Sequence, residues 1–176
     1  AHPQGWKPED GFERTFYTTL TAVVTGAAFA AMLAGLALLL GKAITPRTGV
    51  FWGLAGFLAV SLAPAAGLPP ELPGMPAADF NARQIWWIAT IAATAAGIGL
   101  LAFKRGAWIL AAAAILIALP HLVGAPQPQT FESAVPSGLA VQFAANALAV
   151  NAVFWCVLGA ALGYALNFFA KDATDG

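Results

Sequence analysis

Long stretches without a charged side chain are the feature that most constrains how this chain can fold. Residues 16–40 contain no Asp, Glu, Lys or Arg. As a helix rising about 1.5 Å per residue, this stretch can cross a hydrocarbon core of about 30 Å. Charged residues make up only 9% of the chain, whereas soluble domains carry roughly a quarter. A chain of 176 residues cannot bury so much apolar surface in its own core, so its natural solvent is the bilayer.

Four further apolar stretches follow the first and are separated by short polar or proline-rich connections. The sequence therefore predicts an all-α, polytopic transmembrane helical bundle, with a membrane domain at residues 16–170 and five spanning helices at residues 16–40, 50–68, 85–103, 107–123 and 138–170. Residues 1–15 form a polar N-terminal segment, and residues 171–176 form a charged tail. The last stretch is longer than a membrane requires, so we expect it to begin in the interface or to tilt.

Basic residues are confined to some of the predicted connections. In a five-helix arrangement one side of the membrane receives Lys42, Arg47, Lys104, Arg105 and Lys171. Cytoplasmic loops carry the excess of Lys and Arg, so this side is predicted to be cytoplasmic. The N-terminus and both proline-rich connections are then outside, and the C-terminal tail is inside. Such an orientation requires a preceding helix or a cleaved signal to carry Ala1 across the membrane.

Residues 62–87 overlap the ends of the second and third apolar stretches, include the connection between them and hold five prolines: Pro64, Pro69, Pro70, Pro73 and Pro76. Proline fixes φ and lacks an N–H, so these residues are predicted to form a structured connection rather than a helix. Few other acids share this side of the membrane with Arg83. We therefore expect Arg83 to form an ion pair with Asp79 or Glu71.

Four side chains near the predicted outer surface are candidates for binding a metal ion. His121 follows Pro120 at the end of the fourth span, and Glu71, Met75 and Asp79 recur at four-residue spacing. Imidazole, carboxylate and thioether groups together suit a first-row divalent ion. The alternative interpretation is a histidine hydrogen-bonded at the water boundary, together with a solvated loop. The sequence contains no CxxC, HxxxH or ExxH spacing, so spacing alone does not define a metal site.

The candidate pathway residues are Gln142, Asn146 and Asn151, three amide side chains in the first half of the apolar fifth span. An amide in hydrocarbon is costly unless it is paired, so these groups should face protein or water. They are predicted either to line a transport path or to form interhelical hydrogen bonds, which contribute about 0.6 kcal/mol each in measured cases. The two interpretations carry equal weight.

Small residues in the spans predict close helix contacts. Gly159 and Gly163 form a GxxxG pattern, which permits two helix backbones to approach each other. The single cysteine, Cys156, lies within the same apolar span and is expected to be a buried, inert thiol.

Several classes of function receive no support from the sequence. The chain carries no phosphate loop, no dinucleotide fingerprint and no Ser-His-Asp pattern, so an enzymatic activity is not indicated. The formal net charge is zero, which gives no basis for nucleic-acid binding.

The order of several motifs resembles the CbtA family. The resemblance covers nearly the whole chain and is carried by GWKPEDGFERT at residues 5–15, WGLAGF at 52–57, LAPAAGLPPELPGMPAADFNARQIWW at 62–87, LPHLVGAPQP at 119–128 and QFAANALAVNAVFW at 142–155. It implies an integral membrane subunit of a divalent metal uptake transporter in the bacterial inner membrane, with Co²⁺ as the transported ion and no covalent cofactor.

The resemblance also implies partners. Besides membrane lipid, the expected partner is a small single-helix subunit, CbtB, with a histidine-rich terminus. The family pattern includes a further hydrophobic segment and a histidine-bearing loop before GWKPEDG, and of that loop only His2 is present in this sequence. The alternative function is a non-transporting accessory subunit packed into a larger membrane complex. This function fits the close helix contacts that the small residues of the spans predict.

Overall fold

The computed structural model describes residues 6–175, with side chains from residue 6 to residue 170, and this part of the chain contains no β-strand. Five helices follow one another along it: α1 (Phe12–Leu39), α2 (Pro46–Ala65), α3 (Phe80–Phe103), α4 (Ala107–Val123) and α5 (Ser137–Asp175). Four are long and apolar enough to cross a membrane, and α4 is a shorter apolar helix of 17 residues. The predicted all-α, polytopic fold is therefore confirmed.

Side-chain caps fix where α2 and α3 begin. The Thr45 hydroxyl accepts a hydrogen bond from the backbone N–H of Thr48, whose own hydroxyl accepts one from the Thr45 N–H. This capping box satisfies two backbone donors at the start of α2. In α3 the Asp79 carboxylate accepts from the backbone N–H of Ala82 at 2.9 Å. The cap starts α3 at Phe80, five residues before the predicted boundary at residue 85.

α2 accommodates Pro64 by changing its hydrogen-bond pattern. Residues Phe57–Leu62 form a π-helical segment, and the Ala63 N–H donates to the carbonyl of Leu58, five residues earlier. The wider turn makes room for the proline ring and allows a hydrogen-bond pattern that does without the N–H that proline lacks. The prediction that the whole proline-rich stretch is non-helical is therefore wrong at both ends, since α2 ends at Ala65 and α3 begins at Phe80.

Glycine permits α2 and α5 to make direct backbone contact. A Cβ atom at Gly159 would overlap the backbone of Gly49 and Gly53, and a Cβ at Gly163 would overlap the carbonyl of Thr45. No residue larger than glycine fits these positions without moving a helix. The GxxxG pattern of α5 thus lies in the closest helix contact of the described chain.

A small core joins α1 to this helix pair. Trp155 of α5 is only 1% exposed and clusters with Leu33, Ala37 and Ile44. Phe29 of α1 packs on Trp155 with ring centroids 4.7 Å apart. Most other large apolar side chains are exposed on the bundle surface, as expected of helices whose solvent is lipid.

One end of the bundle gathers the basic connections. The Lys42 ammonium lies 5.3 Å from the ring centre of Phe103, next to Lys104 and Arg105. Thr45 contacts Gly163 of α5 at the same end. Lys42, Lys104 and Arg105 thus lie at one end of the bundle, whereas the side chain of Lys171 lies outside the described residues. The side of the membrane that this end faces stays a prediction.

The opposite end gathers the two proline-rich connections. Gly67, after α2, approaches both the Trp86 ring of α3 and the Cβ of Ala125, which follows α4. The Trp86 indole N–H donates to the Pro120 carbonyl at 3.1 Å. We call the two ends the basic end and the proline-rich end.

Candidate functional site

An open cleft of about 630 Å³ lies at the proline-rich end, between α2, the connection that follows it, α3 and α5. Most of its wall is apolar and includes Pro64, Leu68, Phe80, Trp87 and Leu148. Its polar side chains are Ser61, Glu71, Arg83, Gln84 and Asn151. We call this feature the outer cleft.

Glu71 and Arg83 form an ion pair in the wall of the outer cleft. The Arg83 Nη2 atom lies 3.0 Å from the Glu71 Oε2 atom, and the two side chains are 30% and 22% exposed. Glu71 follows two prolines in the connection, whereas Arg83 lies in the first turn of α3. The prediction that Arg83 would pair with Asp79 or Glu71 is confirmed, with Glu71 as the partner.

Asp79 and Met75 have local contacts that hold the connection in shape. Asp79 is exposed and caps α3 through Ala82. The Met75 sulfur accepts a hydrogen bond of 3.3 Å from the backbone N–H of Leu72, across a turn in which Gly74 has φ of 90°. Neither residue lines the outer cleft.

Ser61 and Asn151 bring polar atoms from the two closely packed helices into the cleft wall. The buried Trp155 indole N–H donates to the Ser61 hydroxyl oxygen at 3.3 Å, which fixes that oxygen relative to α5. The Asn151 Nδ2 atom donates to the Ala147 carbonyl at 3.0 Å. The Asn151 amide oxygen is therefore available as an acceptor.

His121 lies against Trp86 and not in the outer cleft. Its half-buried ring meets the Trp86 ring edge-on, with centroids 5.7 Å apart. The indole N–H of the same tryptophan binds the carbonyl of the neighbouring Pro120. His121 is thus packed into the contact between α3 and α4.

The described residues contain no group of three His, Cys, Asp or Glu side chains that could hold a metal ion. The predicted ligands His121, Glu71, Asp79 and Met75 are therefore not brought together as a preformed site within this part of the chain. Among the three amides, Asn151 lines the cleft, while Gln142 and Asn146 are exposed on α5 away from it. The roles of these residues in metal binding and conduction stay predictions.

Sequence reasoning missed Ser61, Gln84 and Trp87 as cleft residues. Ser61 is the only hydroxyl side chain in the predicted second span, and that isolation was a usable signal. Gln84 and Trp87 follow Arg83 by one and four residues on α3. Only the pairing of helices places these side chains opposite Ser61 and Asn151.

The polar part of the outer cleft is rich in oxygen acceptors. A carboxylate, a hydroxyl and two amides are the groups that bind divalent cations together with water. The guanidinium of Arg83 balances the Glu71 charge in the arrangement observed. The cleft can therefore accept a cation if this ion pair opens.

These features define the protein as a multi-pass helical membrane protein with a polar cleft at one end of the bundle. The chain belongs to the CbtA family, described as "Probable cobalt transporter subunit (CbtA)", whose family model matches residues 1–167. The family resemblance predicted from the sequence motifs is thereby confirmed. The family description is that of a transporter subunit rather than of an enzyme, and a subunit implies other subunits.

No curated protein and no solved structure matches this chain.

Proposed function

We propose that this chain is the membrane subunit of a divalent metal uptake transporter, with Co²⁺ as the transported ion and the outer cleft as its entrance. The observation that carries the proposal is the Glu71 carboxylate, which shares the outer cleft with Ser61, Gln84 and Asn151 in a bundle otherwise poor in polar groups. Polar and ionisable groups that face a cleft in an otherwise apolar helical bundle are characteristic of ion pathways. The family description supports cobalt as the ion.

The proposed orientation places the outer cleft outside the cytoplasm. Lys42 and Phe103 meet at the basic end, beside Lys104 and Arg105, and such an excess of basic residues marks the cytoplasmic face. The proline-rich end then faces the periplasm of a bacterium, with the protein in the inner membrane. An ion arriving from outside would enter the outer cleft, whose wall carries the Glu71 carboxylate.

A partner would complete the metal site. The described residues lack a group of three typical ligands, and the oxygen acceptors of the cleft alone favour no particular first-row ion. A small single-helix CbtB-like subunit with a histidine-rich terminus would supply imidazole nitrogen near the cleft. His121, Asp79 and Met75 lie at the same end and are proposed to guide the ion toward it.

The uptake of labelled cobalt tests the proposed function. Cells that lack other cobalt uptake would express the full-length protein with the small subunit, at expression levels matched by immunoblot. We expect Glu71→Gln to reduce uptake about tenfold or more, because it removes the only carboxylate in the cleft wall. Glu132→Gln is the matched control, since Glu132 is an exposed acid in the other proline-rich connection.

A second candidate function is a non-transporting accessory subunit. The dispersal of His121, Glu71 and Asp79 favours it, because no metal site is preformed within the described chain. This function predicts equal uptake by wild type, Glu71→Gln and His121→Ala at matched expression. Loss of uptake with Glu71→Gln but not with Glu132→Gln would reject it.

A further inference from the structure

We propose that Arg83 is an internal competitor for the cation at Glu71, so that a divalent ion binds the outer cleft only by displacing the guanidinium. This inference rests on the proposed function, since it concerns the occupancy of the same carboxylate. The ion pair spans 3.0 Å and lies in the cleft wall, with both side chains partly shielded from solvent.

The apolar wall explains why the empty cleft needs a resident cation. Leu68, Phe80 and Trp87 line the cleft beside Glu71. A carboxylate shielded by such groups is costly when it is unpaired, and a guanidinium compensates it through a directed hydrogen bond. Arg83 therefore compensates the carboxylate charge and holds the Glu71 side chain in place.

The position of Arg83 makes this pair one that can open. Arg83 lies in the first turn of α3, where the helix dipole is positive and a cation is disfavoured. It is held there by Glu71, and a competing cation at that carboxylate removes the attraction. The attraction between the two charges thus holds the pair together, whereas the position of Arg83 at the positive end of the helix weakens it.

Asp79 is the second acceptor that the inference assigns to the displaced guanidinium. It is the N-cap of α3 and precedes Arg83 by four residues. The Asp79 side chain is exposed, and one of its oxygens is engaged by the Ala82 N–H. Arg83 can therefore exchange Glu71 for Asp79, so that the positive charge of its guanidinium stays paired with a carboxylate.

The exchange discriminates between ions by charge. A monovalent ion that replaces the guanidinium at Glu71 brings no additional charge, whereas a divalent ion brings one more unit and a stronger attraction. Arg83 consequently protects the cleft against Na⁺ and K⁺, which outnumber transition metals outside the cell. Arg83 is a specificity-determining residue in this scheme.

Co²⁺ binding to the purified full-length protein, assembled with the small single-helix subunit in lipid nanodiscs, tests the inference by calorimetry at low and high NaCl. We expect Arg83→Gln to bind Co²⁺ about tenfold more tightly than wild type, because the competitor is gone. Added Na⁺ should weaken Co²⁺ binding to Arg83→Gln more than to wild type. Arg83→Lys keeps the positive charge but loses the planar guanidinium. Its affinity for Co²⁺ should lie between those of wild type and Arg83→Gln.

The control is Arg14→Gln, which removes an exposed ion pair of the same length, that between Arg14 and Asp10, and should leave Co²⁺ binding unchanged. If Glu71→Gln abolishes binding while Arg83→Gln and Arg83→Lys both match wild type or bind more weakly, the inference is overturned and the proposed function stands. If Co²⁺ binding is absent, or is the same in Glu71→Gln as in wild type, both are overturned. Thermal unfolding verifies that each variant is folded. If Arg83→Gln is not folded, the comparison of Arg83→Lys with wild type tests the inference.

Discussion

The two ends of the bundle are built by different kinds of contact. At the basic end α2 and α5 touch backbone to backbone, and Gly159 fits against Gly49 with no space for a side chain. At the proline-rich end the helices are joined by side chains, through the Trp86–Pro120 hydrogen bond and the Glu71–Arg83 ion pair. The first kind of contact fixes helix positions, whereas the second leaves an open cleft.

The difference indicates where the bundle can respond to a ligand. A glycine seam has one arrangement, because any separation forfeits many van der Waals contacts at once. An ion pair and an indole hydrogen bond each depend on one side chain that has other rotamers and other partners. We therefore expect the basic end to be the rigid base of the molecule and the proline-rich end to be the part that binds and exchanges ions.

The largest expected contrast between the ends is their accessibility from outside the cell. Single cysteines at Ala77 and Arg105, both exposed, would be introduced into a Cys156→Ala background. A membrane-impermeant thiol reagent should label position 77 in intact cells and position 105 only after the membrane is opened. Labelling of position 105 but not of position 77 in intact cells would reverse the proposed orientation.

The next effect in size is the loss of the glycine seam. Gly159→Ala places a methyl group onto the Gly49 carbonyl and should cost about 3 kcal/mol of stability, because α2 and α5 must move apart. Thermal unfolding in detergent measures it. Gly35→Ala is the control, since a Cβ at Gly35 would meet nothing within 4 Å. Equal unfolding temperatures for the two variants would show that the seam is not the rigid base.

A smaller effect is expected at the proline-rich end. Trp86→Phe removes the indole N–H that binds the Pro120 carbonyl and should destabilise the protein by about 1 kcal/mol. The substitution also loosens the contact with His121, so position 121 should become more accessible to a histidine-modifying reagent. Destabilisation as large as that of Gly159→Ala would contradict the contrast between the ends.

The smallest effect concerns two buried threonines between the ends, both on α3. The Thr90 hydroxyl donates to the Trp86 carbonyl at 2.8 Å, whereas the Thr94 hydroxyl is buried without a partner in the described chain. Thr94→Val should be neutral or stabilising by less than about 1 kcal/mol, because it removes an unsatisfied polar atom. Thr90→Val is the paired comparison and should not stabilise. Clear destabilisation by Thr94→Val would indicate that its hydroxyl binds a group absent from the isolated chain.

The candidate site was only partly predictable from the sequence. The Glu71–Arg83 pair followed from charge counting, because few acids share the side of Arg83. The predicted grouping of Glu71 with His121 is not observed, because two residues on the same side of the membrane need not be neighbours. Asp79 is engaged as the cap of α3, a local role that its position before an apolar helix could have indicated.

The sequence by itself determined the class of this protein, the number of helices, the shared side of the basic connections and the family. These properties depend on hydropathy, charge order and motif order, each of which is local along the chain. The tertiary structure decided that α2 packs against α5 rather than only against its sequence neighbours, and that Ser61 and Asn151 thereby face Arg83 across one cleft. The physical reason is that apolar helices in lipid have no hydrophobic preference for one another, so their pairing depends on shape, and shape appears only when the glycines of two distant helices meet.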